Sequence, residues 1–146
     1  MHVLRAEKGY IVVGQETDGT VTPDDAGLTW AIGKAKKDFV GKRSLARPAI
    51  AAEGRKQLVG LLTADPKIVL EEGAQVTLNA YATQSLGHVT SSYWSSVLNR
   101  SIALALVQDG RNRKGARLAV TMVDGSIEVE VTEPIFYDKK GERLDG

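Results

Sequence analysis

The pattern of apolar and polar positions changes near Gly54. After it, apolar residues recur in short runs separated by turn residues. Ile127, Val129 and Val131 alternate with Glu128, Glu130 and Thr132, a period of two that predicts a strand with one wet face. Similar runs predict strands at Lys56 to Leu62, Ala74 to Leu78, Leu86 to Ser91 and Arg117 to Met122. Ser101 to Gln108 is nearly continuous in apolar residues, as in a strand covered on both faces. Asp124-Gly125 is a short hairpin signal. Several short strands at this spacing predict a small barrel or sandwich.

The first part reads differently. Tyr10 to Val13 is a strand-like apolar run with no partner strand before it. Gly14, Asp18 and Gly19 then supply turn chemistry. Thr22-Pro23-Asp24-Asp25 predicts a helix start, with Thr22 as N-cap, and the helix is expected to run to about Gly33. Lys34 to Lys37 reads as a solvated basic loop. A further helix is expected over Lys42 to Ala52, kinked or ended by Pro48. Such ordered text so near Met1, where a domain usually frays, predicts the carboxyl-terminal part of a longer protein. Apolar surface around Tyr10 to Val13 is then expected to lie exposed, leaving that segment either poorly ordered or used in self-association.

Composition narrows the chemistry. The formal net charge of the 146 residues is +1, with both signs mixed, so a nucleic-acid footprint is not expected. There is no cysteine, which removes disulfides and thiolate metal sites. No apolar run reaches the roughly 18 residues of a membrane span. No signal-peptide pattern opens the chain, and a cytoplasmic location is the expectation. The two histidines, His2 and His88, form no metal-binding spacing, and no phosphate-binding loop or GxGxxG fingerprint is present. Most acids sit where turns or a helix start need them. Glu16, at the end of the Tyr10 run, is the exception: it is either a carboxylate facing a ligand or a surface turn residue. Aromatics are only 5%, so Tyr10 and the pair Tyr93-Trp94, read as lying in a loop, stand out. They either stack on a planar heterocycle or plug a domain junction.

The motifs also carry a resemblance. Leu4-Arg5-Ala6-Glu7-Lys8-Gly9-Tyr10, Gly14-Gln15-Glu16, Thr22-Pro23-Asp24-Asp25-Ala26-Gly27-Leu28-Thr29-Trp30 and Asp38-Phe39-Val40-Gly41-Lys42 are followed by Gly87-His88-Val89-Thr90-Ser91 and Arg100-Ser101-Ile102-Ala103-Leu104. In this order and spacing they resemble the aminomethyltransferase family, whose type member is the T-protein of the glycine-cleavage system. The wording of MHVLRAEKGYI and TSSYWS is similar to one branch, the C-terminal region of heterotetrameric sarcosine oxidase alpha subunits.

The resemblance implies an α+β, mainly β, architecture. Residues 1–54 would be the tail of a folate-binding domain. Residues 55–137 would form a six-stranded barrel of Greek-key or jelly-roll type, and 138–146 a flexible tail. It implies a parent complex that demethylates sarcosine at a flavin and passes the one-carbon unit to tetrahydrofolate, giving hydrogen peroxide as well. Flavin and NAD would belong elsewhere in that complex. Partners would be the other oxidase subunits and the missing N-terminal part of the same subunit. The family's catalytic aspartate and G-Y-T-G-E motif lie upstream, so no catalytic residue is expected here, and an arginine that contacts the folate tail in T-proteins falls at Met1. Tyr10, Glu16, Tyr93 and Trp94 are the residues expected to wall the folate site, Tyr10 foremost, with Trp30 in the core. Left open are a fragment of a T-protein or of a dimethylglycine dehydrogenase relative, and a non-enzymatic docking domain.

Overall fold

The computed structural model of the chain describes residues 1–33 and 35–143. Six strands close into one antiparallel barrel: β1 (Lys56–Thr63), β2 (Gln75–Thr77), β3 (Ser85–Ser95), β4 (Arg100–Gln108), β5 (Arg117–Met122) and β6 (Gly125–Thr132). Around the barrel the order is β1-β4-β3-β2-β5-β6, and β6 pairs back onto β1. The first strand lies beside the last of three consecutive antiparallel neighbours, which is a Greek key. Closure leaves no open edge. Gly125, at φ 131°, lets Met122 pair with it across the two-residue hairpin loop Val123-Asp124.

β4 is covered on both faces, as its apolar run predicts. Ala103, Ala105 and Val107 point into the barrel, beside Val59, Leu61, Val76, Val89, Val120, Val129 and Val131. Ile102, Leu104 and Leu106 point out, yet they are buried too. Ala6, Ile11, Val21 and Phe136 cover them. Uncovering those three side chains would forfeit roughly 5–9 kcal/mol, comparable with the whole stability of a small domain. The N-terminal segment is therefore an integral second layer of this chain.

That segment folds differently from its predicted elements. Helix α1 (His2–Glu7), which the sequence pattern does not announce, precedes the expected strand-like run and buries Ala6 and Glu7. Gly9, at φ 70°, ends α1 in a Schellman closure: Tyr10 N–H donates to Arg5 C=O at 2.8 Å and Gly9 N–H to Ala6 C=O at 3.0 Å. A Cβ on Gly9 would lie 2.6 Å from Pro134 O, so the C-terminal strap after β6, residues 133–138, also requires glycine there. Tyr10 to Val13 then forms no strand. Its backbone is used by the next turn, where Gln15 and Glu16 both donate to Val12 C=O at 3.1 Å.

The capped helix after Thr22 is a single turn. Thr22 and Asp25 do exchange hydrogen bonds, Thr22 N–H to Asp25 Oδ2 at 2.9 Å and Asp25 N–H to Thr22 Oγ1 at 3.1 Å. A second Schellman closure at Gly27 stops the turn, with Leu28 N–H on Pro23 C=O and Gly27 N–H on Asp24 C=O. Thr29–Ala31 follows as a 3₁₀ helix. Trp30 on it is 79% exposed rather than in the core of this chain. The predicted helix around Pro48 splits into α2 (Lys42–Leu45) and α3 (Pro48–Ala51), with Arg47 extended as a residue before proline prefers.

Asp25 has a second task. Its buried carboxylate takes Arg55 Nε at 3.1 Å and an Arg55 terminal nitrogen at 2.5 Å, while Arg55 also donates to Ala49 O and Thr20 O. One guanidinium thus ties the 20–28 turn and α3 to the start of β1. Burial pushes the Asp25 carboxyl up, but hydrogen bonds from Arg55 and Thr22 outweigh it and hold the group below its ordinary 3.8. A carboxyl depressed on folding stabilises above its unfolded value and loses that contribution as pH falls through the folded one. Asp25→Asn is therefore expected to lower Tm at pH 7 and to flatten the fall in Tm below about pH 4. Thermal melts at neutral and acid pH check this. An acid slope identical to wild type would contradict it.

Candidate functional site

Arg5 projects from α1 into the seam between the N-terminal segment and β3. One terminal nitrogen donates to Glu16 Oε2 at 2.8 Å and to Tyr10 C=O at 3.2 Å. The other shares its two protons among Ser91 Oγ at 2.6 Å, Gln15 Oε1 at 2.9 Å and Tyr93 OH at 3.2 Å. The guanidinium carbon also lies 5.7 Å from the Tyr93 ring centroid, within cation–π range. His2 stacks on the same ring, with centroids 6.5 Å apart and planes at 24°.

Glu16 is 0% exposed. Its Oε2 receives Arg5 and the Val12 N–H, the latter at 2.8 Å. Its Oε1 faces Thr90 Oγ1 at 3.0 Å and accepts from the Ser91 hydroxyl. Thr90 Oγ1 is also 3.1 Å from Leu104 C=O, so its one proton is shared between two acceptors. A buried carboxylate is tolerated when paired and hydrogen-bonded in this way. Both oxygens are taken by the protein, so Glu16 organises the seam.

The four sequence-expected residues thus separate. Tyr10, Glu16 and Tyr93 meet around Arg5. Trp94 does not join them. It and Tyr93 lie within β3 rather than in a loop, because β4 supplies pairing partners as far as Ser95. Adjacent strand residues face opposite ways: Tyr93 sits opposite Ile102 on the outer face, and Trp94 opposite Ser101 on the other. The Tyr10 side chain is 61% exposed, so its ring is free for contact while its carbonyl is held.

Arg5, Thr90 and Ser91 are the residues that local sequence reasoning missed. Arg5 stands in a quoted motif, but nothing in its neighbours says its side chain is buried. Lower in the seam, Ser95 donates to the buried Glu7 at 2.6 Å, and Glu7 C=O accepts from Phe136 and Tyr137 N–H. Lys8 pairs with Asp138 at 2.7 Å. Residues 144–146 of the expected tail lie outside the described residues.

His88, on the outer face of β3 opposite Leu106, is pushed below its ordinary value by burial and by Lys56, with Asp18 acting the other way. A cavity of about 660 Å³ lies apart from the seam, between Asp25, Ile32, Ile50, Arg55 and Asn112, and Arg5, Glu16, Ser91 and Tyr93 do not line it. Among the described residues no group of three or more His, Asp or Glu is placed to hold a metal, and no helix is long and apolar enough to cross a membrane.

Residues 56–138 match the family described as the glycine cleavage T-protein C-terminal barrel domain. The whole chain aligns at 49% identity with sarcosine oxidase subunit alpha of Corynebacterium sp. strain U-96, spanning 16% of that protein. The same subunit of Rhizobium meliloti is 38% identical over 99% of the chain and 15% of its own length. The aminomethyltransferase of Thermotoga neapolitana is 34% identical over 92% of the chain and 35% of its own length. The crystal structure of the glycine cleavage system aminomethyltransferase T of Bartonella henselae superposes with a TM-score of 0.80 at 23% identity, covering 94% of this chain and 38% of that one. This last likeness speaks for the fold.

Proposed function

The chain belongs to the family of glycine cleavage T-protein C-terminal barrel domains, and from that premise we propose that it is the C-terminal, aminomethyltransferase-like module of a sarcosine oxidase alpha subunit. The observation that carries the reading is the 49% identity over the entire chain with such a subunit. In this reading residues 1–54 are the tail of a folate-binding domain, 55–137 the barrel and 138–146 the tail of the chain. The module works in the cytoplasm beside the N-terminal part of its own subunit and the other oxidase subunits, and flavin and NAD are held elsewhere in that complex.

The residues present fit one wall of a tetrahydrofolate site. Tyr10 offers an exposed ring on a backbone that Arg5 fixes. Tyr93, half-buried, stands on the same seam with its hydroxyl and ring both held. Glu16 has no free oxygen for pterin amines, so it acts by holding Arg5. Bound tetrahydrofolate would supply the amines that take up the one-carbon unit. The chain supplies no acid or base to that chemistry. Its part is to hold one face of the ring and keep water from it, and it is inactive alone. An enclosed path matters because water hydrolyses an iminium donor.

Titrating 5-formyltetrahydrofolate into the full-length subunit tests the reading. Saturable binding is expected there, and its absence would overturn the folate role.

A further inference from the structure

Helix α1 is already fastened to the barrel without Arg5. Ala6 packs on the outer face of β4, Ser95 holds Glu7, and Glu7 C=O takes two N–H groups of the strap. The Arg5 bonds go elsewhere: to Tyr10, Gln15 and Glu16 in the following turn, and to Ser91 and Tyr93 on β3. Because they meet on one guanidinium, they tie the turn after α1 to the strand.

The strand is shaped for this. Val89 pairs with Ala105 and Ser91 with Leu104, so Thr90 is an extra residue, a β-bulge. In a regular strand Thr90 and Ser91 would point to opposite faces. With the bulge, both hydroxyls reach the same oxygen of Glu16. Bulges re-aim side chains in this way, often next to active sites.

We propose that Arg5, set by the Thr90 bulge through Glu16 and Ser91, is a positioning residue that fixes the spacing of Tyr10 and Tyr93 for folate; this rests on the folate reading above. Arg5 holds Tyr10 by its carbonyl and Tyr93 by its hydroxyl and ring. Lysine cannot replace it, because a point charge lacks the planar fork that meets several acceptors at once.

Two serines on one strand make the test. Ser91 and Ser95 are both fully buried, and both donate to a buried glutamate of the N-terminal segment. Only Ser91 touches Arg5. In the full-length subunit, Ser91→Ala is expected to weaken 5-formyltetrahydrofolate binding about fivefold, the scale of one lost hydrogen bond. Ser95→Ala is expected to lower Tm comparably and leave binding unchanged. Equal effects of the two on binding would overturn the proposal.

Hydrogen exchange of the Val12 amide, which Glu16 holds, gives a readout free of ligand. In the 146-residue chain Ser91→Ala is expected to accelerate it and Ser95→Ala to leave it alone. If wild type binds no folate, the folate reading fails and the exchange ratio still decides on the clamp: equal rates in the two variants would overturn it. Should Ser91→Ala not fold, Ser91→Cys, which keeps the volume but replaces the hydroxyl by a weak donor, takes its place in both comparisons.

Discussion

Replacing Glu16 by Gln is expected to destabilise the chain by about 3–5 kcal/mol, the usual cost of leaving one member of a buried ion pair uncompensated. The pair is well inside the protein, with side-chain exposures of 11% for Arg5 and 0% for Glu16. Gln nearly matches Glu in volume, so no cavity confuses the result. It keeps one carbonyl oxygen, but its amide offers donors where Arg5, Val12 N–H and the Ser91 hydroxyl also donate. Urea denaturation reads the loss. The double change Arg5→Met with Glu16→Leu removes both charges and is expected to cost less than Glu16→Gln alone. A loss below about 1 kcal/mol for Glu16→Gln would place the pair with exposed salt bridges.

Gly87→Ala is expected to be at least as severe. Gly87 faces Val107 across the β3–β4 pair and also pairs with Val76 of β2. A Cβ there would lie 1.8 Å from Leu106 O and 2.9 Å from the Val107 Cα. Both are backbone atoms, so no side chain can move aside. Glycine in a central strand marks such a close approach. Relief requires prising β3 from β4 at the strands that carry both cores. Overpacking of a core typically costs 1–3 kcal/mol, and a backbone clash in a closed barrel should exceed that, on the order of 4 kcal/mol or failure to fold. Expression yield and circular dichroism against Gly19→Ala, a turn glycine with open space around it and no positive φ, make the comparison. Equal behaviour of the two would contradict the strand geometry.

The barrel was legible because its code is local. Period-two alternation in β6 and the apolar run of β4 state their faces directly, and both emerge at nearly the expected residues. The end of β3 was hidden because the stretch after Ser91, with Tyr93-Trp94, reads as loop, whereas the fold buries Ser91, Ser92 and Ser95. Ser92 receives Leu70 N–H and Ser95 receives Leu98 N–H, while Ser91 and Ser95 also meet buried carboxylates. Apart from Leu98, these partners lie 22 to 88 residues away in sequence. The same holds for Arg5, whose bond to Ser91 spans 86 residues. Thr22 caps its turn as its sequence predicts, but the Schellman closure at Gly27 limits the element to one turn. Local signals fixed the start of that element and a glycine fixed its end. Tyr10, Glu16 and Tyr93-Trp94 stand out in the local pattern, but nothing local shows that Arg5 joins Tyr10, Glu16 and Tyr93.

Titration of the full-length subunit with 5-formyltetrahydrofolate, wild type against Tyr10→Ala, tests most directly whether the N-terminal segment is a folate wall. Losing an aromatic stack of about 1.4 kcal/mol corresponds to roughly a tenfold rise in Kd. Tyr10 is exposed, so Tm should hardly move. Saturable wild-type binding with a tenfold weaker Tyr10→Ala is the predicted result. Equal Kd values for the two proteins, or no binding by wild type, would contradict it.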